Sequence, residues 1–126
     1  MKEIINTSNA PAAIGPYSQG VKAGNMYFFS GQLGIDPKTG NFVSDTCVEA
    51  QCEQVFANIK ALLTEAGLDF GDVIKATVFL ADMGDFAKVN EIYGKYFTAP
   101  FPARSAVAVK TLPKNGLVEI EVIACK

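Results

Sequence analysis

The chain has 126 residues, 49% of them hydrophobic and 19% charged, which is one domain's worth (residues 1–126) with enough apolar surface to bury a core without disulfides or metal. Its net charge of -2 argues against nucleic acid as the main partner. There is no histidine, so Ser-His and Cys-His catalytic pairs and most catalytic zinc sites are excluded, and any chemistry must run on carboxylates, hydroxyls, lysine, backbone groups or the single arginine, Arg104.

In chain order, Lys2 to Ile5 predicts a short strand, followed by a Pro-containing polar loop, "NTSNAPAAIGPYSQG". Gly20 to Ala23 and Met26 to Ser30 predict two strands joined at Gly24-Asn25, a tight hairpin signal. "DPKTG" at Asp36 to Gly40 is a further turn. Thr46 and Glu49 have capping-box spacing, and Val48, Cys52, Val55, Phe56, Ile59, Leu62, Leu63 and Ala66 follow at steps of three and four until Gly67, predicting an amphipathic helix.

"VIKATVFLA" at Val73 to Ala81 predicts a strand with Ile74, Ala76, Val78 and Leu80 on one face and Val73, Lys75, Thr77 and Phe79 on the other. Asp85 is placed to cap a second helix whose stripe is Phe86, Val89, Ile92, Tyr93, Tyr96 and Phe97, ending before "APFP". Two last strands, Arg104 to Lys110 and Leu117 to Ala124, flank the turn "LPKNG" and are expected to pair with each other. The order implies an α+β fold of two layers, a mixed sheet with both helices on one face. No third helix exists to cover the second apolar sheet face, so self-association through it is expected.

No apolar run approaches the roughly 20 residues of a membrane span, and the N-terminus lacks a signal-peptide pattern, so a cytoplasmic location is expected. Cys47 and Cys52, five positions apart, would stand about 140° apart on a helix. With Cys125 they form an odd set, read as free thiols serving as small core residues.

Arg104 stands at the mouth of an apolar strand, just after Pro100 and Pro102. Two roles fit: pairing with Glu119 or Glu121 on a neighbouring strand, or waiting for a ligand carboxylate or phosphate with its approach stiffened by the prolines. Glu119 and Glu121 alternate with apolar residues in "LVEIEVIA", so they either face solvent or bring a carboxylate to hold a water near the arginine. "SGQLG" at Ser30 to Gly34 ends a strand either in a β-bulge or in a close backbone approach. Tyr17 in "GPYSQG" either packs as a satellite of the core or closes a pocket.

Together, "NAPAAIGPYSQG", "SGQLGIDPKTG", "VFLADMGDFAKVNEIY", "FPARSAV" and "LPKNGLVEIEVIA" resemble, over nearly the whole chain, the RidA (YjgF-type) family of imine deaminases. The resemblance implies a chorismate-mutase-like α+β fold assembled as a homotrimer, with a central β-barrel and a cleft at each subunit interface. It implies hydrolysis of 2-imino acids such as 2-iminobutanoate and 2-iminopropanoate to 2-oxo acids and ammonia, without cofactor or metal. Arg104 would anchor the substrate carboxylate and Glu119 would position water. Tyr17, Ser30, Gly31, Asn90 and Ala106 would complete the substrate site. Many members carry cysteine where this chain has Ala106, which puts any thiol-dependent switching at the cleft in doubt. Two alternatives remain at this level: a non-catalytic 2-oxo acid (carboxylate) binding module that acts through a partner, and an endoribonuclease or translation inhibitor, which the charge fits poorly.

Overall fold

The computed structural model describes residues 1–126. Its strands are β1 (Glu3–Ile5), β2 (Gly20–Ala23), β3 (Met26–Phe29), β4 (Gln32–Leu33), β5 (Val73–Leu80), β6 (Ala103–Ala108) and β7 (Val118–Cys125), with helices α1 (Val48–Glu65) and α2 (Phe86–Tyr96). One mixed sheet runs β1-β2-β3-β7-β5-β6, and β4 also pairs with β7. The hairpin at Gly24-Asn25 forms as expected, Gly24 taking a φ of 62°.

The last two strands do not pair with each other. β6 lies parallel to β5, and β5 lies between β6 and β7. The cause is α2: a helix leaving one end of β5 carries the chain back to where it started, so the next strand is laid down parallel beside it. The segment from Val109 to Leu117 then crosses the end of β5 to reach β7, far longer than a tight hairpin loop.

Both helices cover one sheet face. Val55, Phe56, Ile59, Leu62 and Leu63 of α1 and Val89, Ile92 and Tyr93 of α2 are buried against Ala76, Val78 and Leu80 of β5 and Val118, Ile120, Val122 and Ala124 of β7. Thr46 is not the cap of α1. Cys47 is, its Sγ accepting from the Ala50 N–H at 3.4 Å, while Ser44 Oγ accepts from the Cys47 N–H. Gly67 ends the helix with φ 76°, as its place in the sequence suggests. Asp85 sits at the N-cap of α2 without a side-chain bond, and Asp82, whose carboxylate accepts from the Gly84 N–H at 2.8 Å, shapes the preceding turn.

The expected alternation in β5 fails at its start. Val73 pairs with Ala124 but Lys75 with Ile123, so Ile74 is an extra residue. Val73 is therefore buried with Ala76 and Val78, and Ile74 is 45% exposed. Among the thiols only Cys52 is a core residue; Cys47 is exposed and Cys125 half-buried.

The other sheet face has no helix over it. Ile4, Phe28 and Val107 stand exposed there, with Glu121 beside them. No helix of the chain is long and apolar enough to cross a membrane.

Candidate active site

Four of the residues singled out in the sequence meet in one cleft. Tyr17, Ser30, Gly31 and Glu119 line a cavity of about 530 Å³ whose other walls include Ile14, Gln19, Leu33, Ile35 and Lys114.

Ser30-Gly31 lies where β3 hands over to β4. Phe28 pairs with Ile123 and Gln32 with Ile120, so four steps on this side span three on β7, and one residue bulges out of the ladder. The bulge and the close approach are the same feature: a Cβ on Gly31 would stand 2.6 Å from Glu119 Oε2, so only glycine lets the backbone lie against that carboxylate. The Ser30 hydroxyl donates to the Ser18 carbonyl at 2.6 Å and its N–H donates to the Gln19 carbonyl, which ties the Tyr17 loop to the strand end. Tyr17 itself is 52% exposed at the rim, not packed on the core.

Glu119 is half-buried on β7, and burial first, then the neighbouring charge of Glu121, pushes its carboxyl above the usual carboxylate range. Neither a hydrogen bond nor a cation opposes that rise. The cleft thus holds one unpartnered carboxyl with a raised affinity for a proton, a property that suits a proton carrier.

The sequence reading missed Gln19, whose amide builds the cleft wall. It is buried, its Nε2 donates to the carbonyls of Thr7, Ala10 and Pro11, and its Oε1 accepts from the Thr7 N–H at 2.7 Å. Asn58 likewise donates to the carbonyls of Leu33 and Ile35 across the core, fixing the opposite wall. A glutamine inside a polar loop and an asparagine in mid-helix carry no pattern that distinguishes them from surface amides.

Arg104, Asn90 and Ala106 lie elsewhere. Arg104 pairs in register with Ala76, whose side chain faces the helices, whereas Glu119 stands opposite Phe79 on the uncovered face. Within one chain the two charges therefore leave the sheet on opposite sides. Arg104 Nη1 donates to Asn90 Oδ1 at 2.6 Å, and the guanidinium lies 4.8 Å from the centre of the Tyr93 ring and 5.3 Å from that of Phe86. The ion pairs of the chain are Glu3–Lys22 and Glu53–Lys95, so the alternative in which Glu119 or Glu121 occupies the guanidinium does not hold. Burial pushes the Tyr93 phenol up, opposed by the charge of Arg104. Ala106 follows on the same side, half-buried against the core.

The sequence profile described as endoribonuclease L-PSP matches residues 7–126, and the crystal structure of a Rid family protein from Yersinia pestis has a TM-score of 0.96 at 46% identity, with full coverage of both chains. The chain belongs to the RidA family. The 2-iminobutanoate/2-iminopropanoate deaminase of Salmonella typhimurium is 52% identical over 129 residues, covering 100% of this chain and 99% of that one. The crystal structure of Escherichia coli TdcF with bound serine has a TM-score of 0.92 at 46% identity, with 98% of each chain covered. As a RidA-family chain this one has the α+β architecture with a mixed sheet and two helices, and its arginine and its glutamate lie on opposite faces of that sheet.

Proposed function

We propose that the chain, as a single domain, is a cofactor-independent imine deaminase. It converts 2-imino acids, 2-iminobutanoate and 2-iminopropanoate among them, to 2-oxo acids and ammonia. Its site is completed in a homotrimer whose subunits close their uncovered sheet faces around a central barrel. Arg104 and Asn90 of one subunit face Tyr17, Ser30, Gly31 and Glu119 of its neighbour, with Ala106 beside the substrate.

The observation that carries this reading is the Arg104 guanidinium, held only by a neutral amide and two aromatic faces, so that its fork remains open to a carboxylate. The Salmonella relative's name supports the reaction and the serine bound to TdcF supports an amino-acid-sized carboxylate as ligand. The exposed Ile4, Phe28 and Val107 support closure of the sheet face.

The chemistry asks little of the protein. Water adds to the imine carbon as Glu119 takes its proton and passes it to the nitrogen; Glu119 then carries the carbinolamine's hydroxyl proton to the amino group, and the C–N bond breaks as the ketone forms and ammonia leaves. Arg104 fixes the carboxylate next to the reacting carbon, and the raised proton affinity of Glu119 suits it to both transfers.

The test is subunit mixing. Imines are generated in situ by an amino-acid oxidase or threonine dehydratase, and 2-oxo acid formation is followed. Arg104→Ala and Glu119→Gln are each expected to lose activity. Refolded together in equal amounts they should recover about one quarter of wild-type activity, because one interface in four then joins an intact arginine to an intact glutamate. Full activity of Arg104→Ala alone would remove the reading. The serine complex of TdcF favours one second reading, a carboxylate-binding module without turnover; binding of 2-oxobutanoate with no hydrolysis would select it. RNA degradation that survives Arg104→Ala would select the activity in the profile's description, which the net charge of -2 opposes.

A further inference from the structure

Phe86, Asn90 and Tyr93 occupy positions i, i+4 and i+7 of α2, one face of the helix. All three meet the same guanidinium: two ring faces at 5.3 Å and 4.8 Å and one amide oxygen at 2.6 Å. None of them is charged. A carboxylate here would hold the arginine more tightly but would also occupy the fork and neutralise it. Rings and an amide fix the plane and direction of the guanidinium while leaving its charge unspent.

A long flexible side chain that is ordered only on binding loses rotamer freedom at that moment, and the loss is subtracted from affinity. Here the ordering has already taken place during folding. The Tyr93 hydroxyl contributes nothing visible to it, since it is buried with no hydrogen-bond partner. The ring is the part of Tyr93 that faces the cation.

We propose that Phe86, Asn90 and Tyr93 are positioning residues, a charge-free cradle that orients Arg104 before its ligand arrives and so sets affinity and not turnover. This rests on the reading that Arg104 takes a ligand carboxylate. It reassigns Asn90 from contact with substrate to contact with the arginine.

Because the chain has one arginine, its side-chain Nε–Hε resonance identifies itself, which gives a test that needs no catalysis. In the wild type that proton should be shifted upfield by the two rings and its motion restricted. Phe86→Leu and Tyr93→Leu should move it towards the position and mobility of free arginine, and Tyr93→Phe, which keeps the ring, should restore both. In the imine assay each leucine variant should raise KM about fivefold, the equivalent of about 1 kcal/mol, with kcat within about twofold; Asn90→Ala, at an exposed position, should do the same even if a leucine variant fails to fold. In an Arg104→Ala background none of these substitutions should lower the residual kcat/KM further.

An unchanged Nε–Hε signal in folded Phe86→Leu or Asn90→Ala overturns the cradle, as does a lost signal with unchanged KM. If the wild type turns over no imine, the functional reading fails by itself. The dissociation constant of 2-oxobutanoate then replaces KM, and the same fivefold weakening supports the cradle while its absence overturns it.

Discussion

Replacing Gly31 by alanine would test the cleft with a single methyl group. The added Cβ would lie 2.6 Å from Glu119 Oε2, 3.0 Å from its Cδ and 3.1 Å from its Cγ, against an ordinary contact of 3.4 Å or more. The backbone of Gly31 does not occupy the left-handed region, so alanine meets no conformational barrier there. What must yield is the end of the Glu119 side chain, by about 0.8 Å, the difference between 3.4 and 2.6. A flexible carboxylate can move that far for about 1 kcal/mol of stability, but a displacement near 1 Å at a reacting group costs about 100-fold in rate. Gly31→Ala should therefore fold with a denaturation midpoint close to wild type and lose one to two orders of magnitude in kcat for the imine, about 10- to 100-fold. Gly34→Ala is the contrast. Its Cβ would stand 2.6 Å from the Gln51 Cα and 2.7 Å from the Gln51 carbonyl oxygen, and helix backbone cannot swing aside, so the loss should appear as about 3 kcal/mol of stability. Urea denaturation and imine turnover on both variants separate the two. Wild-type kcat in Gly31→Ala, or equal destabilisation of both variants, would refute the placement of Glu119 against the bulge.

Two further outcomes are expected. Glu119 binds its proton more tightly in the folded chain than in the unfolded one, so its contribution to stability is complete below the ordinary carboxylate value near pH ~4.3 and is lost as pH rises through the shifted range; Glu119→Gln, which cannot ionise, should thus gain stability relative to wild type between acidic and neutral pH, and a difference of the opposite sign in denaturant titrations would contradict the burial of that carboxyl. Thiol labelling with a maleimide should modify exposed Cys47 first and leave Cys52 untouched until the chain unfolds, since burial pushes that thiol up to about 12 and keeps it protonated; equal rates for the two in the native protein would contradict the register of α1.

The elements whose signal is periodic were legible in the sequence. The apolar spacing along α1 and the Gly24-Asn25 turn each follow a local rule, so no tertiary knowledge was needed to read them. Pairing was not local. Nothing within Arg104 to Lys110 states that β5 intervenes before β7, because that outcome is decided by the path of α2. The bulge at Ile74 was hidden for the same reason: it is defined by β7, its partner, and not by its own residues. At the site, the glycine of "SGQLG" and the isolated arginine were visible as exceptions to their surroundings, whereas Gln19 and Phe86 look like ordinary members of a polar loop and an apolar stripe. In the turn "LPKNG" the glycine is there for space and not for backbone conformation. Lys114 and Asn115 take the left-handed backbone, with φ of 55° and 60°, while Gly116 has an ordinary φ of -60° and is glycine because a Cβ would meet Leu33 Cδ2 at 2.9 Å.

The parity of the strands has a consequence for how so sparse a set of charged groups can work at all. A chain with one arginine and one half-buried cleft carboxyl would, if both lay on one sheet face within reach, gain by joining them, since a bidentate arginine–carboxylate pair is the strongest contact either could make in the folded chain. The pair would then have neither a fork for a substrate nor a carboxyl with a raised proton affinity. Register prevents this: Arg104 follows Ala76 to the helix side, and Glu119 follows Phe79 to the other. The arginine is held by rings and an amide, the glutamate by proximity to a glycine, and each keeps its charge chemistry intact. Under the proposed assembly the two would meet only across a subunit boundary with the substrate between them, where its carboxylate satisfies the cation and its reacting carbon faces the acid. Under that assembly, separation within the chain is what would leave both groups free to act on the substrate.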